Sequence, residues 1–425
     1  MVDYKFINGG VTAPQGFTAN GVCAGVKQAT SEAITKAAKA NESSVIPNGK
    51  RDLALIVCDR VCSAAAIFTK NLVKSDTIYV TQKHLENGTA QAVIVNSGNA
   101  NACNPDGYEK AEKMAALAAN ALGIDENDVI VASTGVIGQP LPLEPIESGV
   151  NALKGILSKE GGTNAAEAIM TTDTVKKEWA VQTVIDGKTV TIGGIAKGSG
   201  MIHINMGTTL SFVTTDAAIS SEMLREALLA AADVSYNMVS VDGDTSTNDT
   251  LAILASGYAG NAEITEKNDG YYAFLDALTA AFREVAKKLA RDGEGATKLL
   301  ICKVSGAADT ASAKTIAKSV ICSSLVKAAM FGADANCGRI LCAVGYSGAQ
   351  TDVKKIDVAY KSAAGEILVC QNGCGLRFDE AKAEKILLEN EITILITLGD
   401  GSAEAEAYGC DLTYDYVKIN GDYRT

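Results

Sequence analysis

Histidine is almost missing from this sequence. The 425 residues contain two, His84 and His203. Many enzymes with a serine or cysteine nucleophile need an imidazole as the base. His84 lies in the segment TQKHLENG, which predicts a solvated helix end, and His203 lies in an apolar segment typical of a core histidine. We therefore expect that any nucleophilic chemistry in this chain uses a base other than imidazole.

Long apolar runs and an excess of basic residues are also missing. No window approaches ~18 consecutive apolar residues, and the N-terminal MVDYKFINGG lacks the basic and apolar regions of a signal peptide. The net charge of -12 disfavours nucleic acid or an anionic membrane as a main partner. These features predict a soluble, cytoplasmic protein that binds neither. The 11 cysteines are then expected to be reduced, and the pairs Cys58/Cys62 and Cys370/Cys374 lack the further ligands of a metal site.

The apolar pattern predicts a mixed α/β fold. Apolar runs typical of strands start at residues 53, 92, 128, 250, 297 and 391, and amphipathic stretches typical of helices start at residues 108, 220 and 270. The segment WAVQTVIDGKTVTIGG places an Asp186-Gly187 turn between two alternating stretches, which predicts a β-hairpin. With only six prolines and no Ser/Pro-rich linker, no domain boundary is indicated. We expect mixed sheets with antiparallel pairs, packed by helices.

The segment MIHINMGTTLSF places a Gly207-Thr208 bond between two apolar flanks. A threonine hydroxyl in mid-chain is a poor nucleophile unless a base removes its proton. If this bond were cleaved, the new α-amine of Thr208, with a pKa near ~8, would serve as that base. Gly207 has no Cβ, so the hydroxyl can approach its carbonyl closely. Taken alone, a Gly-Thr pair more often marks a strand bulge.

A set of ordered motifs changes that balance. The segment AKGSGMIHINMGTTLSFVTTDA closely resembles the signature of the ornithine acetyltransferase family. The resemblance extends over almost the whole chain and includes GGVTAPQGFTANGV, VIVNSGNANACN, VASTGVIGQPLP, AIMTTDTVKK, VSVDGDTSTND, ARDGEGATKL, SSLVKAAMFGADANCGRI and the terminal NGDYRT. Many matches in the right order are far more specific than any one of them.

The resemblance implies an enzyme that cleaves itself and then transfers acetyl groups. Residues 1–207 would become an α chain and residues 208–425 a β chain that begins with the nucleophile, usually assembled as an α2β2 heterotetramer. The reaction would be a ping-pong transfer from N2-acetylornithine to glutamate through acetyl-Thr208, within arginine biosynthesis. No metal or organic cofactor is implied. Bifunctional members also accept acetyl-CoA as donor and monofunctional members do not, and the sequence does not separate the two.

The family's site residues transfer one by one onto this chain. Thr208 matches the nucleophile, and Gly207 precedes it where alanine is common, while Ile204 stands where proline is common. Thr209 is a rival hydroxyl that the alignment disfavours. The oxyanion-hole residues correspond to Thr134 and Gly135. The substrate-binding positions correspond to Thr171, Lys197, Thr208, Glu294, Asn420 and Thr425. Chemically, Lys197 suits an α-carboxylate and Glu294 suits a side-chain ammonium.

Two other classes of function compete with this one. The first is an N-terminal-nucleophile amidohydrolase or aminopeptidase, in which water replaces glutamate as the acceptor. It would share the cleavage and the nucleophile but would not need the pair formed by Lys197 and Glu294. The second is an uncleaved, non-enzymatic scaffold, which would remain a single chain of full length.

Overall fold

The computed structural model describes residues 4–35, 49–203 and 209–421. Its strands, numbered in chain order, are β1 (Tyr4–Ile7), β2 (Phe17–Val22), β3 (Leu53–Phe68), β4 (Thr89–Asn96), β5 (Val129–Ser133), β6 (Lys177–Ile185), β7 (Lys188–Lys197), β8 (Ile202–His203), β9 (Leu210–Thr215), β10 (Ser240–Thr245), β11 (Thr250–Ala255), β12 (Leu299–Ala307), β13 (Asp357–Ser362), β14 (Gly365–Gln371), β15 (Cys374–Gly375), β16 (Glu391–Thr397) and β17 (Ala403–Cys410).

The α-helices of the same ranges are α1 (Val26–Thr35), α2 (Asp76–His84), α3 (Gly107–Leu122), α4 (Leu143–Lys154), α5 (Gly162–Ala168), α6 (Ser221–Asp233), α7 (Asp269–Arg291), α8 (Thr310–Cys322), α9 (Ser324–Phe331), α10 (Cys337–Gly345), α11 (Glu380–Leu387) and α12 (Tyr414–Gly421).

A nine-stranded sheet forms the larger part of the molecule. Its order is β1-β6-β7-β9-β11-β3-β4-β5, and β2 pairs with one half of the long strand β3. The pairs β9/β11 and β4/β5 are parallel, and the other pairs are antiparallel. Strands β7 and β9 therefore lie side by side, although the junction between residues 207 and 208 separates them in the sequence.

The central strands β9 and β11 are buried on both faces. On β9, Val213 packs into one apolar core while Phe212 packs into another on the opposite face. On β11, Ile253 and Leu254 divide between the two cores in the same way. Successive side chains of a strand point to opposite faces, so a strand covered on both sides is apolar throughout. Helices α6 and α7 contribute to one core and α5 to the other.

Helix α7 shows why an amphipathic stretch becomes a surface helix of this sheet. Its buried positions include Tyr271, Phe274, Leu278 and Phe282, which repeat every three or four residues and so lie on one face. The side chain of Asn268 caps the helix by accepting a hydrogen bond from the backbone N–H of Tyr271, at 3.0 Å. The helix ends just before Glu294, so its packing on the sheet fixes the place of that residue.

A six-stranded sheet of order β15-β14-β13-β16-β12-β17 carries most of the remaining chain. Strands β12 and β16 are parallel, and the other pairs are antiparallel. The short strands β8 and β10 form a separate pair, in which His203 lies opposite Ser240. Strand β8 ends at His203, directly before the undescribed residues 204–208.

The predicted fold class is confirmed: mixed sheets with antiparallel pairs, packed by helices. All the predicted strands and helices form, and the β6–β7 hairpin turns at Asp186 and Gly187, whose φ angles of 51° and 72° suit the predicted two-residue turn. Over the described ranges, no helix combines the length and apolarity that crossing a membrane requires.

Candidate active site

A cavity of about 530 Å³ gathers residues from distant parts of the chain. It opens beside the ends of β5 and β7, the start of β8, the loop between β10 and β11, and the C-terminal end of α12. Its lining consists of Thr134, Gly135, Val136, Ile137, Thr171, Thr172, Lys197, Gly200, Met201, Ser246, Thr247, Asn248, Glu294, Asn420 and Gly421. The volume suits a small molecule, and the lining is rich in hydroxyl, amide and charged groups.

Lys197, the last residue of β7, is a buried ammonium in this cavity. Its Nζ donates a hydrogen bond to Oγ1 of Thr171, at 2.7 Å, and lies 3.5 Å from Oγ1 of Thr134. Burial lowers the pKa of Lys197, while the nearby carboxylate of Asp173 opposes that effect. Because an ammonium only donates, both hydroxyl oxygens act as acceptors, and their own hydrogens point elsewhere. Each hydroxyl is thereby left able to donate to a bound molecule.

Gly135 follows Thr134 at a position that only glycine can occupy without strain. Its φ is +132°, and a Cβ built there would lie 2.6 Å from the backbone carbon of Gly98. The backbone of Thr134 is fixed as well, because its N–H donates to the carbonyl of Asn96 at 3.0 Å. The loop after β5 is therefore packed tightly against the loop after β4. This packing holds the backbone of Gly135 in place at the cavity wall.

An ion-pair network lies beneath Lys197. Nζ of Lys177 contacts carboxylate oxygens of Asp173, at 2.7 Å, and of Asp292, at 2.6 Å. Asp173 also accepts from the backbone N–H of Gly198 at 2.7 Å and of Thr171 at 3.2 Å. Burial raises the pKa of Asp173, but the charges of Lys197 and Lys177 outweigh it and hold the pKa below its usual value. The network ties Thr171 and the end of β7 to the start of the α7–β12 loop.

Glu294 supplies a buried carboxylate to the same cavity. Its side chain accepts a hydrogen bond from Nδ2 of Asn420, at 2.8 Å, and its backbone N–H donates to the carbonyl of Ser199, also at 2.8 Å. A Cβ on Gly200 would lie 2.3 Å from the Glu294 carboxyl carbon, so glycine makes room for this approach. Among its described lining residues, the cavity thus presents one cation, Lys197, and one anion, Glu294.

The loop between β10 and β11 forms a further part of the wall. Nδ2 of Asn248 donates to the carbonyls of Ala100, at 2.6 Å, and Ser133, at 2.7 Å, and so joins this loop to the loop after β4 and to the last residue of β5. The next residue, Asp249, is buried, and burial raises its pKa to about 7 against the lowering effects of Ser246 and Lys197. Asp249 lines a second cavity of about 20 Å³ that adjoins the first.

The structure brings most of the residues singled out from the sequence around one cavity. These are Thr134, Gly135, Thr171, Lys197, Glu294 and Asn420. Gly207, Thr208 and Thr425 lie outside the described residues, as does Ile204. The rival hydroxyl residue, Thr209, is buried directly before β9 and lines the small cavity. The roles assigned to these residues stay predictions.

Several residues around the site were missed from the sequence. Asn248 and Asp249 stand in the motif VSVDGDTSTND, and Asp173 and Lys177 stand in the motif AIMTTDTVKK. A run of hydroxyl, amide and acidic residues between two predicted strands was the available signal. The second partner of Lys177, Asp292, lies 115 positions away, and no local pattern indicates it.

Neither histidine is among the residues that line the two cavities, although His203 directly follows Ile202 of the smaller one. The prediction that His84 is a solvated helix end is wrong: it ends α2 but is 3% exposed, and its Nδ1 donates to the carbonyl of Val129 at 2.8 Å. Helix α2 covers the edge strand β5, where Thr81 also bonds to the backbone of Val131. His203 is partly buried, and burial together with the charge of Lys318 lowers its pKa to about 4. Neither imidazole is placed to act as a base in the cavity.

The cysteines and acidic residues give little support for a metal centre. Across the described parts of the chain, no group of three or more histidine, cysteine, aspartate or glutamate side chains is arranged to hold a metal ion. Cys58 and Cys62 face each other across an irregularity in β3, and the thiol of Cys62 contacts the carbonyl of Arg60 at 3.5 Å.

Known proteins resemble this chain over nearly its full length. The model of the ArgJ family matches residues 35–425. The arginine biosynthesis bifunctional protein ArgJ of Symbiobacterium thermophilum is 51% identical over 99% of this chain and 100% of its own length. The arginine biosynthesis bifunctional protein ArgJ 1 of Clostridium acetobutylicum is 50% identical over 90% of this chain and 94% of its own.

Two solved structures are also similar. The crystal structure of the arginine biosynthesis bifunctional protein ArgJ from Bacillus halodurans is 44% identical, with a TM-score of 0.47, and covers 49% of this chain and 97% of its own. The ornithine acetyltransferase of Mycobacterium tuberculosis, complexed with ornithine, is 35% identical, with a TM-score of 0.40, and covers 48% of this chain and 99% of its own.

An α/β fold with a polar cavity that holds a buried cation and a buried anion is typical of a protein that binds a small, charged molecule. The chain belongs to the ArgJ family. The family predicted from the motifs is thereby confirmed, and with it the predicted class of activity, an acetyltransferase of arginine biosynthesis.

Proposed function

We propose that this enzyme moves the acetyl group of N2-acetylornithine to glutamate, with Thr208 as the nucleophile of the first half-reaction and the carrier of the acetyl group into the second. The Thr208 hydroxyl attacks the acetyl carbonyl, its α-amine takes the hydroxyl proton and delivers it to the leaving amine, and ornithine departs. The amine of glutamate then attacks the acetyl-Thr208 ester and passes a proton to the Thr208 α-amine. The bond between the acetyl carbon and the Thr208 oxygen breaks, the hydroxyl regains its proton, and N-acetylglutamate departs. The α-amine would serve as base because its pKa lies near ~8, close to the working pH.

The observation that carries this proposal is the pairing of Lys197 and Glu294 in one cavity. Ornithine has an α-carboxylate at one end and an ammonium at the other, so a bound molecule can place opposite charges against both residues. Asn420 holds the Glu294 carboxylate at 2.8 Å, and Thr171 holds the Lys197 ammonium at 2.7 Å, so both charges are fixed before binding. Fixed partners lose little conformational entropy when a ligand arrives.

Thr134 and Gly135 suit the role of oxyanion hole. Since Lys197 directs a donor at the Thr134 oxygen, the Thr134 hydroxyl hydrogen is available to an oxyanion in the cavity. The backbone of Gly135 is held by close packing against the loop that contains Gly98. Preorganised donors of this kind act at the moment when negative charge develops, and each contributes roughly 3 kcal/mol to catalysis.

Cleavage between Gly207 and Thr208 is compatible with a stable product. Strand β9 of the proposed β chain pairs with β7 of the proposed α chain, and β11 pairs with β3. Residues 1–207 and 208–425 therefore share one sheet, and loss of a single peptide bond leaves these contacts intact. We propose that both chains stay together and assemble further as α2β2.

The proposed chemistry needs no metal and no organic cofactor, because nucleophile, base and oxyanion donors are all supplied by the chain. Acetyl-CoA is proposed as a second acetyl donor, since the relatives from Symbiobacterium thermophilum and Clostridium acetobutylicum carry the name bifunctional. An acetyl thioester would acylate the same threonine, and glutamate would accept the group in the same second step.

The proposal is tested by offering N2-acetylornithine and acetyl-CoA separately, each with and without glutamate, and following N-acetylglutamate and free acetate. Transfer to glutamate that outpaces release of acetate supports the proposal. Release of acetate at the same rate with and without glutamate would instead identify a hydrolase, the competing class. Thr208→Ala should leave an uncleaved, inactive chain, while Thr208→Ser retains a hydroxyl and should still cleave.

A further inference from the structure

A small polar cavity adjoins the main one. Its volume of about 20 Å³ is enough for one water molecule, which needs at least about 10–15 Å³ and two or more polar partners. Six residues line both cavities, so the two are contiguous. These shared residues are Thr134, Lys197, Gly200, Met201, Ser246 and Asn248.

Asp249 is the acidic residue of the small cavity, and it is 4% exposed. It lies directly before β11, at the point where the backbone N–H of Thr250 donates to the carbonyl of Thr209 at 3.3 Å. The proposed mechanism does not use this carboxyl. The charged groups that act on Lys197 here are Asp173, Lys177, Asp249 and Glu294.

We propose that Asp249 is a positioning residue of the acetyltransferase, which acts on Lys197 through one water molecule held in the small cavity. The carboxylate accepts a hydrogen bond from the water, and the water accepts one from the Lys197 ammonium. This bridge helps to keep Lys197 charged against the cost of its burial. A charged Lys197 in turn holds the Thr134 and Thr171 oxygens as acceptors, so their hydrogens point to the substrate.

The inference rests on the proposed acetyl transfer and predicts how that activity depends on pH. Protonation of Asp249 removes the negative charge that helps to keep Lys197 charged, so activity should fall as pH drops through the range around its raised pKa of about 7. The α-amine of Thr208 must also be neutral to act as a base. Two protonations then inhibit the wild-type enzyme, and the logarithm of kcat/KM should approach a slope of two below about pH 6.5.

The test compares Asp249→Asn with the wild type in the acetyl-transfer assay between pH 5.5 and 9. The variant keeps the size of the side chain and loses its charge. We expect kcat at pH 8.5 to fall by at least about tenfold, because a small misplacement of reacting groups has such effects. On the acid side, the logarithm of kcat/KM of the variant should rise with pH with a slope of only one. Asp249→Ala should show the same slope of one on the acid side of its pH profile. Thermal melts confirm that each variant is folded.

Asp216→Asn is the matched control. Asp216 is also buried, and burial also raises its pKa, but it follows the last residue of β9, at the end of that strand away from the small cavity. This control should keep the wild-type limb. If Asp249→Asn and Asp249→Ala both retain a slope of two, the inference fails while the proposed function stands. If the wild type transfers no acetyl group to glutamate, both fail. A high-resolution crystal structure without a water between Asp249 and Lys197 would also overturn the bridge.

Discussion

Removal of the Lys177 ammonium should destabilise the enzyme strongly, and in a way that depends on pH. The side chain is 1% exposed and bridges Asp173 and Asp292 at 2.7 and 2.6 Å. In Lys177→Met, two buried carboxylates would face each other without their cation. Loss of one partner from a buried ion pair typically costs about 3–5 kcal/mol, a large share of the stability of an ordinary domain.

The sign of the pH dependence follows from the pKa shifts. In the wild type, the pKa of Asp173 is lowered by Lys197 and Lys177 despite its burial, so its contribution to stability is present above the unfolded pKa and is lost as pH falls. In the variant, one carboxyl should keep its proton to neutral pH. The loss of stability relative to wild type should therefore be greatest near pH 8 and shrink toward pH 5.

Guanidinium denaturation at pH 8 and pH 5 measures this difference. The control is Lys287→Met, which breaks the exposed pair with Glu284, of length 2.9 Å, and should cost no more than about 1 kcal/mol. If Lys177→Met loses less than about 1 kcal/mol of unfolding free energy, or loses the same amount at both pH values, the prediction is wrong.

Three further predictions concern the cavity and its walls. Gly135→Ala should lower the free energy of unfolding by more than about 2 kcal/mol and impair acetyl transfer. The control is Gly138→Ala in the same loop, which should cost only about 1 kcal/mol because, although its φ is +74°, nothing lies within 4 Å of the new methyl group. Thermal melts and transfer rates of both variants distinguish the two. Glu294→Gln keeps the bond to Asn420 but loses the charge, so kcat/KM for N2-acetylornithine should fall about 10- to 100-fold without change in the melting temperature. Asp249→Asn should stabilise the protein at pH 8 by on the order of 4 kcal/mol. Burial raises the pKa of Asp249 to about 7, so the free-energy cost of ionising it in the folded state grows as pH rises from about 4 to 7, and asparagine avoids this cost. Equal melting temperatures of variant and wild type at pH 8 would contradict this.

Much of the architecture could be predicted because the signals are local. The alternating stretches on both sides of Asp186-Gly187 and the apolar spacing of α7 depend on neighbours within a few residues. The length of β3 could not be predicted in this way. Between Val57 and Cys62 the register shifts by three residues against β4, and the strand then continues to pair with β11. Only the assembled sheet makes both halves one strand.

For the candidate site, too, residues in local motifs could be predicted, and residues placed by long-range contacts could not. Family motifs identified Thr134, Lys197 and Glu294 as residues of one site, although the segments that carry them are far apart in the sequence. The burial of His84 was missed because its partner is the backbone of an edge strand, which no sequence pattern records. The positions of Asp249 and Asp292 likewise depend on strand order and helix packing. The raised pKa of Asp249 and the pairing of Asp292 with Lys177 therefore become visible only in the folded structure.

The most direct test of the account is the intact mass of the purified enzyme before and after mixing with N2-acetylornithine in the absence of glutamate. We expect two fragments, one ending at Gly207 and one beginning at Thr208. The second fragment alone should gain one acetyl group, which is removed again when glutamate is added. A single species near 44.0 kDa, or an acetyl group on any residue other than Thr208, would contradict it.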